Sequence, residues 1–501
     1  MTALHRICLG IACNTAFVLA ACLASPAWTA TPAAEAPAAG VEHTIALPSG
    51  PLSYRATWSE TVLRDQEGRP QATISATSYV RDDVGTEARA TRPVLFAFNG
   101  GPGASSSPLH TGLLGPRIAG KPDAQGRRSW RDNEHALLDI ADVVLIDPVG
   151  TGYSRELSAG GQQAYLNVEG DARAAETIIR DWLRAHGRMA SPVFIAGESY
   201  GGYRLATLSK DVADLNVAGL VLISPGLDFS ATAGLGNDQG YIFTLPSMAA
   251  AAFAHGKIDA RGRSVDQVFE EARAFAQGDY VVALQQGDRL AAAERTRTAA
   301  RMAALIGIGA GEIEQRGLRV PTQDFLELLV PGMVVGRIDT RVTAPKPAQA
   351  LVAGRSKAAD DPALGMGKSN VIKSPLLRDY LKEATGHTGA RDYVSLSLDL
   401  NFAWDWRGRT PKMEDNAALQ STPRLAAFMQ ARPLARLLLL SAYYDLATPV
   451  LAQQYALTHI GLPQERVEMA AFAAGHALYD DTTRPATAAL LRRFITQSAR
   501  Q

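Results

Sequence analysis

Apolar and polar residues alternate from Thr44 to Arg81, with breaks at Pro48 to Gly50 and at Glu67-Gly68-Arg69-Pro70. A period of two interrupted by turn formers predicts antiparallel strands, each with one face on a core. The pattern then changes. Pro93 to Phe98, Asp142 to Ile146, Val193 to Ala196 and Leu220 to Ile223 are continuous apolar runs, and Asp171 to His186 repeats its apolar residues with the period of an amphipathic helix. Strands that are apolar on both faces and separated by helical segments predict a mostly parallel sheet covered on each side, so the fold class is α/β. The glycine-rich breaks fall at the carboxyl ends of these strands, the edge on which open α/β sheets build their sites.

Beyond residue 229 the pattern stops, for a stretch far longer than a loop in a compact domain. Val265 to Gln286 and Leu290 to Ile306 are alanine-rich and helical in period; Pro345 to Ser369 reads as a loop, and Phe402, Trp404 and Trp406 form an aromatic cluster. We read 230–432 as a mostly helical insertion, a cap over the carboxyl ends of the strands that shapes a pocket. The sheet pattern returns within 433–501. Leu437 to Leu440 leads into Tyr443-Tyr444-Asp445, Val467 to Phe472 leads into Gly475-His476, and Val450 to Ile460 between them reads as a helix carrying His459. The core is therefore expected in two pieces, 44–229 and 433–501.

The first thirty residues stand apart. A weakly basic start, His5-Arg6, precedes the uncharged apolar segment Ile7 to Ala21, which is short for a membrane span and reads as an export signal. Leu19-Ala20-Ala21-Cys22 suits lipoprotein processing, which would leave a lipid anchor on Cys22, and Ser25-Pro26-Ala27 suits an ordinary signal peptidase; both remain open. Residues 31–43, rich in Ala and Pro, continue as a flexible leader. The chain has 501 residues and three cysteines, Cys8, Cys13 and Cys22, so the expected folded body contains no thiol and no disulfide. Fifty basic and fifty acidic residues balance, which gives no electrostatic case for a nucleic acid or an anionic membrane as partner. The histidines away from position 476 are scattered without ligand spacing, so no metal or other cofactor is implied.

Gly197-Glu198-Ser199-Tyr200-Gly201 follows the run Val193 to Ala196 and precedes the helix-compatible Leu205 to Val212. Strand, Gly-x-Ser-x-Gly and helix in succession are the context of a nucleophile elbow, whose flanking glycines avoid collisions with neighbouring backbone. A serine hydroxyl is protonated at neutral pH, so Ser199 needs a base, and that base needs an acid to fix its tautomer. The order Ser199, Asp445, His476 is that of the α/β-hydrolase triad. Asp228 is the competing acid. His459 fits a surface or core histidine better than a catalytic one, and Glu198 alone could be a solvated elbow residue.

Together these blocks resemble the serine carboxypeptidases (peptidase family S10), in particular their bacterial relatives. The resemblance runs from Pro93 to the C-terminus through Asn99-Gly100-Gly101-Pro102-Gly103 with Ser105 and Ser106, Asp147 to Ser154, Gly197 to Gly201, Asp445 with Thr448-Pro449, and Gly475-His476. It implies an α/β-hydrolase fold and an exported enzyme, periplasmic or extracellular, that cleaves peptide or protein C-termini through an acyl-enzyme. By position it implies an oxyanion hole of the Gly101 and Tyr200 N–H groups, and a substrate-carboxylate site of Asn99, Gly100 and Glu198. Elementary geometry agrees for Tyr200, because the residue that opens a helix has a free N–H. Three departures stand out: Ala104 replaces a cysteine common in the family, Leu113 replaces a second glutamate of the carboxylate site, and the cap matches poorly. The alternative is an esterase or acyltransferase on the same triad. A noncatalytic protein on this fold would usually have lost a triad member, and all three are present.

Overall fold

Nine strands form one sheet: β1 (Val41–Leu47), β2 (Gly50–Arg64), β3 (Pro70–Arg81), β4 (Val94–Phe98), β5 (Asp142–Asp147), β6 (Val193–Glu198), β7 (Val217–Ile223), β8 (Arg436–Ala442) and β9 (Val467–Phe472). Their spatial order is β1-β2-β3-β5-β4-β6-β7-β8-β9. The pairs from β1 to β5 are antiparallel and all later pairs are parallel. The computed structural model describes residues 40–120, 123, 128–229, 237–348, 360–406 and 420–500. The expected signal segment, with Cys22, and the leader up to residue 39 lie outside the described residues. Val41 to His43, read from sequence as the end of the leader, already pair with β2, Val41 opposite Ala56.

Burial on both faces explains the continuous apolar runs. Phe96, Phe98 and Ile195 point to one side, against Ile179 and Trp182 of the helix Val168–Ala185. Leu95, Phe194, Leu438 and Leu440 point to the other, against Leu491, Phe494 and Ile495 of the final helix, Arg484–Ser498. Each such side chain contributes about 1.5–3 kcal/mol by leaving water. β7 pairs directly with β8, Leu220 opposite Leu437, although the whole insertion separates them in sequence.

The insertion has an apolar core of its own, built by Leu245, Val268, Ala299, Met302 and Phe325. These come from helices that include Gln239–Ala254, Val265–Phe275, Ala292–Ile306 and Thr322–Leu328. The second starts where Ser264 and Gln267 form a capping box. The insertion also contains two antiparallel ribbons, Met333–Val335 with Thr343–Pro345 and Val371–Lys373 with Val394–Ser397. The turn between the first two strands docks on the loops that follow β8 and β9. The Thr340 N–H donates to Tyr444 O (2.9 Å), the Leu446 N–H to Arg337 O (2.9 Å) and the His476 N–H to Ile338 O (2.7 Å). Among the described residues no helix is long and apolar enough to cross a membrane.

Candidate active site

β6 is buried along its length and ends at Ser199, which adopts φ 59° and ψ −128° before the helix Tyr200–Leu208 begins. A non-glycine residue in this region stores about 1–3 kcal/mol of strain, held here by the packed strand and helix. The glycines on either side are sterically required: a Cβ at Gly197 would lie 2.2 Å from Gly201 O, and one at Gly201 2.8 Å from Phe98 O. The Ser199 carbonyl accepts from the Gly202 and Gly226 N–H groups, both at 2.9 Å, which ties the elbow to the loop after β7.

Two loops at the same edge of the sheet bring in the residues expected as base and acid. Asp445, after β8, is fully buried; its Oδ1 accepts from the N–H groups of Ala447 (2.8 Å) and Thr448 (3.1 Å), and its Oδ2 from the Thr448 hydroxyl (2.6 Å). His476, after β9, places Nδ1 2.6 Å from Asp445 Oδ2. A carboxylate can only accept, so Nδ1 carries the proton and Nε2 is left as the basic nitrogen. Burial opposes a charge on this imidazole, but the Asp445 carboxylate and its hydrogen bond outweigh burial and hold the His476 pKa above the ordinary value. Ser199 and His476 line one pocket of about 540 Å³, together with Asn99, Gly100, Gly101 and Glu198. Asp228, the rival acid, pairs through its backbone with Gln420 and lines a different pocket. His459 is exposed, with its ring stacked on Tyr455 at 3.7 Å.

The glycine loop after β4 lies against the elbow helix. A Cβ at Gly100 would sit 2.3 Å from the Tyr200 nitrogen, so only glycine leaves space in front of that N–H. Buried groups pin both ends of the loop. Arg204, paired with Asp171 at 2.6 Å, donates to Asn99 O at 2.6 Å. Asp147 Oδ1 accepts from the Ser106 N–H (2.9 Å), the Ser106 hydroxyl (2.7 Å) and the Tyr393 hydroxyl (2.9 Å).

Glu198 is buried rather than solvated. Its Oε1 accepts from Asn99 Nδ2 at 2.7 Å and its Oε2 from the Tyr479 hydroxyl at 2.9 Å. Burial pushes its pKa up to about 7, against the opposing pull of His476 and of the hydrogen bonds from Tyr479 and Asn99. Leu113 points into the apolar core beneath. Beside it, a Cβ at Gly112 would meet the Tyr479 ring at 2.2 Å, so the tyrosine fills the space next to that turn. Tyr479 was not singled out from sequence; its only signal was a polar aromatic residue three positions beyond His476. Arg204 and Arg337, the latter also lining the pocket, were missed too, because their partners and position are fixed by tertiary contacts.

Sheet order, the insertion between β7 and β8 and the elbow at the end of β6 define an α/β hydrolase. Residues 84–228 match the family model described as serine carboxypeptidase, and this segment, with its glycine loop and elbow, belongs to that family. It ends before Asp445 and His476. Among curated relatives, the chain is 26% identical over 202 residues to serine carboxypeptidase-like 17 of Arabidopsis thaliana, covering 38% of this chain and 41% of that one. It is 27% identical over 195 residues to serine carboxypeptidase 1 of Hordeum vulgare, covering 38% and 36% respectively. The matched region thus spans about two fifths or less of these relatives' length. Kex1(delta)p, a prohormone-processing carboxypeptidase from Saccharomyces cerevisiae, has a similar fold, with a TM-score of 0.52 at 11% identity over 88% of this chain and 91% of that one.

Proposed function

We propose that this chain is an exported serine carboxypeptidase that removes C-terminal residues from peptides or proteins. Ser199 Oγ attacks the scissile carbonyl while His476 Nε2 takes its proton, and the N–H groups of Gly101 and Tyr200 receive the developing oxyanion. The C–N bond breaks as His476 returns that proton to the leaving amine. Water, deprotonated by His476, then opens the Ser199 ester, and the serine regains its hydrogen. Asp445 keeps the imidazole in the required tautomer and stabilises its cation.

The observation that carries the exopeptidase assignment is the buried Glu198, held by Asn99 and Tyr479 in the Ser199 pocket with a pKa near 7. Two carboxylates in contact repel unless they share a proton, and a carboxyl already raised by burial is prepared to supply it to a substrate C-terminus. Peptide hydrolysis is accordingly expected to fall as pH rises through about 7, mainly through KM, because Glu198 ionises. Esters without a free carboxylate are expected to keep their activity there. Both substrate types should decline on the acid side as His476 protonates. Glu198→Gln should flatten the alkaline limb for peptides. It should also move the acid limb for esters to lower pH, since the Glu198 charge is one of the groups raising the His476 pKa. Identical alkaline profiles for peptides and esters, unchanged by Glu198→Gln, would remove the carboxylate-binding role.

Leu113 favours a second reading, an esterase or acyltransferase on the same residues, because it leaves the site one carboxyl short of the family pattern. Parallel peptide and ester turnover separates the two. Export is checked by N-terminal sequencing of the mature protein. A blocked N-terminus at Cys22, with membrane partition lost in Cys22→Ser, is the expected result for an anchored form, whereas a free N-terminus at or after Trp28 identifies a released one.

A further inference from the structure

Buried guanidinium groups in this chain are paired with carboxylates: Arg92 and Arg188 lie 2.9 and 2.6 Å from Asp142, and Arg204 lies 2.6 Å from Asp171. Arg337 is partly buried and lacks such a partner. Its N–H donates to Asp361 Oδ2 (3.0 Å) and its C=O accepts from Leu446 (2.9 Å), so the main chain cannot shift to give the side chain a better environment. Among the described residues no carboxylate stands within ion-pair distance of its guanidinium, and its Nε is buried with no hydrogen-bond partner. The Asp361 carboxylate acts on this cation without direct contact, so an anion brought into the pocket would still gain a charge-assisted hydrogen bond to the guanidinium.

The position of Arg337 says which part of a substrate could bring that anion. It lines the Ser199 pocket, and with Ala447 it also lines a second pocket of about 450 Å³ walled by Leu227, Tyr241, Thr244, Leu446 and Thr448. Glu198, Asn99 and Tyr479 belong to the first pocket alone. With the substrate C-terminus at Glu198, the second pocket, against the Asp445 loop, is left for the acyl side. We propose that Arg337 selects an acidic side chain on the residue that precedes the scissile bond and becomes esterified to Ser199. This rests on Ser199 as the nucleophile of the reaction proposed above. Asp228 lines the same pocket and would favour a basic side chain, so the comparison must include lysine.

The test uses N-acylated Glu-Leu, Gln-Leu and Lys-Leu with the full-length protein and with Arg337→Gln and Arg337→Lys. In the unaltered protein kcat/KM for Glu-Leu should exceed that for Gln-Leu by about 10- to 100-fold, the worth of one hydrogen bond between charged groups. Arg337→Gln should erase this ratio while changing Gln-Leu less than about 3-fold, and Arg337→Lys should retain part of it. A merely structural role would lower all three substrates together. Equal rates for Glu and Gln, or a preference for Lys, overturn the proposal. The ethyl esters of N-acyl-Glu and N-acyl-Gln repeat the comparison without a C-terminal carboxylate. A Glu preference confined to esters keeps Arg337 and removes the carboxypeptidase reading. If neither class turns over, calorimetric titration of Ser199→Ala with N-acetyl-glutamate and N-acetyl-glutamine reads the same discrimination as binding. Equal affinities there overturn it.

Discussion

Ser199→Ala is expected to abolish turnover of peptides and esters and to abolish labelling by a fluorophosphonate. The loss for the nucleophile of a triad is about six powers of ten in kcat. The fold should survive, because the elbow is held by backbone contacts that alanine keeps: the residue 199 N–H on Ile223 O at 3.0 Å, and its carbonyl on Gly202 and Gly226. The strained φ of 59° is as tolerable for alanine as for serine. Thermal unfolding within a few degrees of the parent, combined with lost labelling, is the expected pair of results. Labelling that persists would place the nucleophile elsewhere.

Asp445→Asn is expected to lower kcat by about four powers of ten. The geometry predicts the mechanism of that loss. Oδ1 faces two backbone donors, from Ala447 and Thr448, so the asparagine oxygen must occupy that position. The amide nitrogen then takes the place of Oδ2, 2.6 Å from His476 Nδ1. Two donors cannot share that contact. The imidazole is forced into the tautomer protonated on Nε2, and Ser199 loses its base. Asp228→Asn should leave the fluorophosphonate reaction nearly intact. If it proves more damaging than Asp445→Asn, Asp228 is the acid.

What was legible in the sequence follows from the range of the interactions concerned. β4 to β8 are buried on both faces, and such strands appear as unbroken apolar runs whose ends can be read from neighbouring residues. The elbow is legible through its spacing: Gly197 is imposed by Gly201 and Gly202 within one strand-to-helix turn, whereas Gly201 is imposed by Phe98 and Asn99, which come from far back in the chain. The first strand is short and only partly buried, which is why Val41 to His43 read as leader. The insertion carries helical periods but no pattern that locates it, so the docking of its 336–342 turn on the loops of Asp445 and His476 had no local sign. The environment of Glu198 was hidden for the same reason. Its two hydrogen-bond donors come from the loop after β4 and from the last loop of the sheet.

That docked turn also supports the loops of Asp445 and His476. Asp339 packs against the loop of His476 so closely that a Cβ on Gly475 would lie 2.4 Å from Asp339 Oδ2. The backbone donors of Leu446 and His476 are satisfied by carbonyls from the insertion, far away in the chain. Such non-local pairings close late in folding, because loop-closure entropy must be overcome before they form. On the proposed roles, the loop of the base therefore leans on the insertion for its support, whereas the backbone contacts of Ser199 come from β7, the loop after it and the elbow.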